Sequence, residues 1–183
     1  FTPLFRNHSA SGTREQELYK FSTVGDMKEM IKIRYSLIPY LYSEYLKAVI
    51  DDEMMFRPLA FDFSDDKDAK SVDDQLLLGN EIMICPIYKQ NAKGRYVYLP
   101  EPMMLVRMKK YDDYETEILP KGHHYFRCEL NELVFFIRNG KSIPICEPVE
   151  YTEKIDYNTI TMLGYSESEY VLYNEEDFAG ISR

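Results

Sequence analysis

The amino-acid sequence predicts an α+β fold: a helix-rich opening, then an antiparallel β-sandwich, then the start of a further β unit. Three observations carry that expectation. Apolar residues recur at helical spacing at Met27, Met30, Ile31, Leu37, Ile38, Leu41, Tyr45 and Leu46, as on one face of an α-helix. Beyond FSDDKDAKSVDD the chain breaks into short strand-like runs: EIMICPIY, GRYVYLP, MMLVRMK, HHYFRCEL and ELVFFIRNGKSIPI. Turn signals punctuate them at Asn91-Ala92-Lys93-Gly94, Lys121-Gly122 and Asn139-Gly140, a pattern that builds sandwiches.

Taken in order, FTPLF reads as a strand that delivers Arg6 and His8 into a polar loop. Two residues is the side-chain period of a strand, so both side chains emerge on one face. The loop from Ser9 to Thr23 is rich in Ser, Gly and Thr. Asp26 and Glu29 form a plausible capping arrangement for the helix that follows. Pro39 falls inside the helical pattern and should kink it or split it in two. The stretch IKIRYSLIPYLYSEYLKAVI is apolar around much of its circumference, which predicts burial between layers. Its tyrosines Tyr35, Tyr42 and Tyr45 are expected in the core. A short strand closes this block near Phe63, and FSDDKDAKSVDD reads as an exposed connection. From about Cys146, ITMLGYS and EYVLYNEED look like one hairpin of a sheet that lacks its other strands. A single strand–loop–helix unit cannot bury both its faces, so neighbours are expected from chain upstream of Phe1.

Bulk properties narrow the function classes. A chain of 183 residues should bury roughly 70% of its unfolded surface. The net charge of −9 argues against nucleic acid and anionic membranes, which require a basic footprint. No stretch approaches the ~20 apolar residues of a membrane span. Cys85, Cys128 and Cys146 lie far apart in apolar runs without CxxC spacing, so they read as buried thiols in a reducing, cytoplasmic setting rather than zinc ligands or disulfides. Sixteen Tyr, ten Phe and no Trp give an aromatic balance suited to interfaces and sugar-facing clefts. Asp65-Asp66, Asp73-Asp74 and Asp112-Asp113 are expected in solvated loops, and His123-His124 at a solvated strand start. Asn7-His8-Ser9 fits a glycosylation sequon, a match short enough to arise by chance.

FTPLFRNH, REQELYKF, IRYSLIPYLYSEY and DDQLLLGNEIMICPIYKQNAKGRYVYLPE together resemble the glycoside hydrolase family 31 α-glucosidases, in particular those of the gut Firmicutes type. Their order and spacing match the end of such an enzyme, from Phe1 to about Pro144. The resemblance implies the last strand–helix unit of a (β/α)8 barrel over residues 1–63, a proximal C-terminal β-sandwich over 64–146 and the start of a distal β domain over 147–183. It also implies an active site at the C-terminal face of the barrel. The family's Pro-Phe-x-Arg-x-His-like element is matched by Pro3-Leu4-Phe5-Arg6-Asn7-His8. That match assigns His8 to hydroxyls of the sugar in the −1 subsite and Arg6 to the polar floor beside a catalytic carboxylate.

What the resemblance withholds is equally specific. Retaining glycosidases need two carboxyl groups about 5–5.5 Å apart, and in the family both aspartates lie on earlier barrel strands. The chain is thus expected to be part of a retaining α-glucosidase acting on terminal α-linked glucose, with no metal, no cofactor and no activity alone. Its partners would be an α-glucoside oligosaccharide and the remainder of the barrel, with a homodimer as another way to hide the helical face. Two departures stand out: Glu101-Pro102-Met103-Met104 replaces the family's Gly-x-Trp-Tyr turn, and LYNEEDFAG (Leu172 to Gly180) replaces a late Asp-Asp-Gly. The competing reading is a stand-alone β-sandwich that binds carbohydrate or a protein without catalysis.

Overall fold

A computed structural model describes residues 1–2, 4–6, 8–166 and 168–173. Two helices run almost end to end, α1 (Val24–Ser36) and α2 (Ile38–Ile50). Pro39 lies in the first turn of α2, where a missing N–H costs no intrahelical bond. The proline therefore splits the helix, as its position predicts. Capping differs from expectation: α1 starts after Thr23, and Glu29 instead pairs with Lys32 at 2.7 Å.

After the helices come β1 (Phe56–Pro58), α3 (Leu59–Asp62), α4 (Lys67–Ser71), β2 (Leu76–Leu78), β3 (Ile82–Ile84), β4 (Gly94–Leu99), β5 (Met103–Lys110), β6 (Asp113–Leu119), β7 (Gly122–Arg127), β8 (Leu133–Arg138), β9 (Ser142–Ile145) and β10 (Thr161–Gly164). Six strands form one antiparallel sheet in the order β1-β2-β3-β8-β5-β6, while β4 pairs with β7 and β9 with β10. Ladders run from β1 to β2 and from β9 to β10, so hydrogen bonds cross residues 63 and 146.

Alternation along the central strands creates two cores. Met104, Val106, Phe135 and Ile137 face one way, into a cluster with Ile33, Leu37, Tyr40 and Leu41 of the helices. Met103, Leu105, Val134 and Phe136 face the other way, into a cluster with Val97, Leu99 and Phe126 of the β4–β7 ribbon. A strand buried on both faces reads as a continuous apolar run, and MMLV and LVFFI do so. The sheet is consequently covered by helices on one side and by a β-ribbon on the other.

Several expectations change. Residues 1–8 contain no strand among those described, because a strand is held by a neighbour's ladder and none pairs with them here. The tyrosine that reaches the core is Tyr40, fully buried, whereas Tyr45 is 49% exposed and stacks on Tyr42 at 6.5 Å. FSDDKDAKSVDD holds α4, whose N-cap Asp66 accepts from the N–H groups of Asp68 and Ala69. Ala69 is fully buried. β6 went unread because its residues are mostly exposed and carry little apolar signal. Residues 169–173 of EYVLYNEED are not a strand. Pro3, Asn7 and 174–177 of that run lie outside the described residues, as does most of LYNEEDFAG.

Candidate functional site

The N-terminal segment is pinned to α1 and the sheet rather than to a strand. Phe1 meets Phe135 edge-on with ring centroids 5.6 Å apart, and Arg34 Nη2 donates to the Thr2 carbonyl at 3.0 Å. Leu4 and Phe5 are 73% and 55% exposed. Beyond them Arg6 Nη2 lies 2.9 Å from His8 Nδ1, with both residues exposed. A guanidinium only donates, so Nδ1 must accept and the imidazole is the neutral Nε2–H tautomer. The pair thus presents one outward N–H donor from a ring whose orientation is held. Arg6 and His8 thus meet through a side-chain contact, where the sequence predicts two neighbours on one face of a strand.

A cavity of about 730 Å³ lies beside this segment, lined by Phe1, Phe5, Phe21, Met27, Met30 and Ile31 among others. Arg6 and His8 are not part of its lining. Its walls are largely apolar, a poor match for sugar hydroxyls and a good one for packed side chains.

Carboxylates elsewhere are committed to structure. Asp62 accepts from Arg57 Nε at 2.9 Å, Arg57 Nη2 at 3.1 Å and Arg138 Nη1 at 2.9 Å. Hydrogen bonding from Arg57 holds its carboxyl below the usual range. Asp66, besides capping α4, accepts from Lys121 at 2.6 Å and Tyr98 at 2.7 Å, and the Lys121 bond first, then Tyr98, keeps its carboxyl well below that range. Asp74 pairs with Arg95 at 2.5 Å. Asp66 and Asp74 are therefore half-buried partners rather than solvated loop residues, while Asp65, Asp73, Asp112 and Asp113 are exposed as expected. His124 Nε2–H donates to the Pro120 carbonyl at 2.7 Å, and His123 packs on Tyr98 at 4.9 Å. The three cysteines are free, with Cys85 and Cys146 buried. Burial pushes the Cys85 thiol up to about 12. Cys128 is only partly buried. Among the described residues no group of three or more His, Cys, Asp or Glu is placed to hold a metal ion, and no helix is long and apolar enough to cross a membrane.

One polar cluster escaped the sequence reading. Glu44 on α2 and Glu81 before β3 are 3% and 7% exposed. Glu44 Oε1 accepts from Lys47 Nζ and from the Tyr170 hydroxyl, each at 2.7 Å. The Tyr40 hydroxyl donates to the Leu78 carbonyl at 2.5 Å and lies 3.3 Å from Glu81 Oε2. Burial raises the Glu81 carboxyl, with the charge of Glu44 adding to it. The cluster fastens α2 to the β2–β3 turn. Its only sequence signal was a glutamate inside the apolar helix IPYLYSEYLKAVI.

Two family models match the chain. The glycosyl hydrolases family 31 TIM-barrel domain matches residues 1–44, and the glycosyl hydrolase family 31 C-terminal domain matches residues 52–143. The chain belongs to glycosyl hydrolase family 31. It is 31% identical to Alpha-glucosidase 2 of Bacillus thermoamyloliquefaciens, over 96% of this chain and 22% of that protein. It is 29% identical to an Alpha-glucosidase of Saccharolobus solfataricus, over 92% of this chain and 23% of that protein. A family 31 dextranase of Flavobacterium johnsoniae, solved with isomaltotriose, superposes with a TM-score of 0.63 at 25% identity, over 75% of this chain and 17% of the other. A family 31 α-xylosidase of Xanthomonas citri shares the fold at 21% identity and a TM-score of 0.62, over 87% of this chain and 16% of its own. The chain thus spans less than a quarter of each of these relatives.

Proposed function

We propose that this chain is the C-terminal portion of a retaining α-glucosidase that releases terminal α-linked glucose from oligosaccharides. Residues 1–63 would close the barrel, and the six-stranded sheet with its β4–β7 ribbon would brace it. The two catalytic aspartates would come from polypeptide outside these 183 residues. The carrying observation is the Arg6–His8 pair, a neutral imidazole held 2.9 Å from a guanidinium within the part of the chain that matches the family's barrel.

In that role His8 donates Nε2–H to a glucose hydroxyl, which can accept it and still donate elsewhere. Arg6 fixes the ring and places positive charge beside the nucleophilic carboxylate, favouring its ionised form. The exposed Leu4 and Phe5 and the apolar cavity are the surfaces the remaining barrel would cover, in preference to a second copy. The three free thiols support a cytoplasmic setting.

The test is hydrolysis of an aryl α-glucoside. The 183-residue chain alone should show no turnover. In the complete polypeptide His8→Ala should lower kcat/KM by roughly tenfold to a hundredfold, the value of one hydrogen bond in a desolvated site. Turnover by the chain alone, or an unchanged kcat/KM for the variant, would overturn the proposal.

A further inference from the structure

The outward face of the β4–β7 ribbon carries one exposed tyrosine pair, Tyr96 and Tyr125, that the core does not use. Tyr96 and Tyr125 are directly opposite in the ladder, 74% and 52% exposed. Their centroids lie 5.0 Å apart in an edge-on arrangement. Two residues along the same face, Tyr98 and His123 form the next pair, at 4.9 Å, in which Tyr98 is buried in the core and only His123 is open to solvent. The side chains of Val97, Tyr98, Leu99 and Phe126 already anchor the ribbon to the sheet, so Tyr96 and Tyr125 are not needed for that contact.

The local backbone is arranged around this stripe. A Cβ on Gly94 would run first into the Phe126 carbonyl and would also lie 2.8 Å from the Tyr125 hydroxyl oxygen, so the bare glycine lets the two strands approach and leaves that phenol room beside them. At the far end the stripe meets Asp66 and Lys121, which help line a hollow of about 360 Å³. Asp66 is already oriented by Tyr98 and Lys121. An exposed tyrosine pair on the same ribbon as an ammonium held in place by Asp66 matches the two-sided chemistry of a pyranose, whose C–H face is apolar and whose edge is hydroxyl.

We propose that this face is a surface binding site for a neutral gluco-oligosaccharide, with Tyr96 and Tyr125 as the stacking platform and the Lys121 ammonium, which Asp66 holds in place and which keeps further N–H donors, as the hydroxyl partner. The choice of ligand class rests on the glycoside hydrolase reading. The site itself is separate from Arg6 and His8 and needs no catalysis. A net charge of −9 disfavours an anionic ligand on the same face. The two-residue step from the Tyr96–Tyr125 pair to His123 spans about 7 Å along the strand, enough to engage more than one point of a chain-like sugar.

Maltoheptaose and an isomalto-oligosaccharide titrated into the isotopically labelled 183-residue chain provide the test. Saturable amide shifts should centre on residues 94–98 and 121–127. The double variant Tyr96→Ala/Tyr125→Ala should weaken binding at least tenfold with its circular dichroism spectrum retained. Shift mapping on the unsubstituted chain stands even if the double variant unfolds. No saturable shifts at millimolar sugar would overturn the site, as would shifts centred on the N-terminal segment. A change of oligomeric state in the double variant without sugar-dependent shifts would assign the face to protein contact instead. Each result is independent of whether the complete polypeptide hydrolyses an α-glucoside.

Discussion

Arg6 Nη2 lies 2.9 Å from His8 Nδ1, and that one contact fixes the tautomer of the imidazole. With Nδ1 occupied as acceptor, the only ring proton of neutral His8 is on Nε2. Replacing Arg6 by Ala removes the constraint, and the ring becomes free to rotate and to exchange tautomers. In the complete polypeptide, Arg6→Ala should raise KM and lower kcat together, whereas Arg6→Lys should recover only part of the loss because a point charge replaces a planar donor. Steady-state kinetics on an aryl α-glucoside distinguish the three proteins.

Glu81 sets a pH dependence of stability. Its carboxyl is raised above the ordinary range, chiefly by burial and then by Glu44, and it faces Tyr40, Lys47 and Lys141. The Tyr40 proton is directed to Leu78, the nearer of its two oxygen neighbours. A raised pKa contributes stability that is complete below the unfolded value, about 4.3, and is lost as pH rises through the folded value. Glu81→Gln, which keeps a donor without the charge, should therefore melt above the parent at pH 7. The two melting temperatures should converge on acidification toward pH 4.5. Differential scanning calorimetry across that range checks the sign.

Asp62 behaves in the opposite sense. Its carboxyl is held low by hydrogen bonding from Arg57, against a burial effect that raises it, with Arg57 and Arg138 charge assisting. Its stabilising contribution is present above about 3.9 and is lost as pH falls through the depressed value. Asp62→Ala should destabilise by about 2 kcal/mol at pH 7, since Arg57 and Arg138 lose a shared acceptor. The deficit should shrink in acid, which urea denaturation at pH 7 and pH 3 would report.

Gly79 occupies a left-handed conformation, φ 61°, and a Cβ there would come within 2.2 Å of Glu44 Oε2 and 2.5 Å of the Tyr40 hydroxyl. Gly79→Ala should cost about 2 kcal/mol or more from backbone strain and displaced polar groups together. Chemical denaturation measures it. A neutral outcome would mean that the Tyr40–Glu44–Glu81 cluster has space the geometry denies.

The parts of the fold that were legible in the sequence are those with a strong local signal. MMLV and LVFFI announced β5 and β8 because strands buried on both faces are uniformly apolar. Pro39 announced the helix break because its ring fits a first turn and not an interior. β6 was silent, its side chains facing water. The strand expected at FTPLF failed for a different reason: a strand is a property of a pair, and an isolated sequence does not contain its partner. Tyr40 and Tyr45 are indistinguishable by residue type. Only the helix phase set by the Leu37 break puts the first in the core and the second in solvent. At the candidate site, the two-residue spacing of Arg6 and His8 points to one face of a strand that does not form, and their hydrogen bond needed coordinates.

The most direct test is a crystal structure of the complete polypeptide with glucose bound, read for the distance from His8 Nε2 to the nearest sugar hydroxyl oxygen. We expect a hydrogen bond of about 2.7–3.2 Å, with Arg6 still on Nδ1. A sugar bound between carboxylates in a pocket that His8 does not reach would contradict the account.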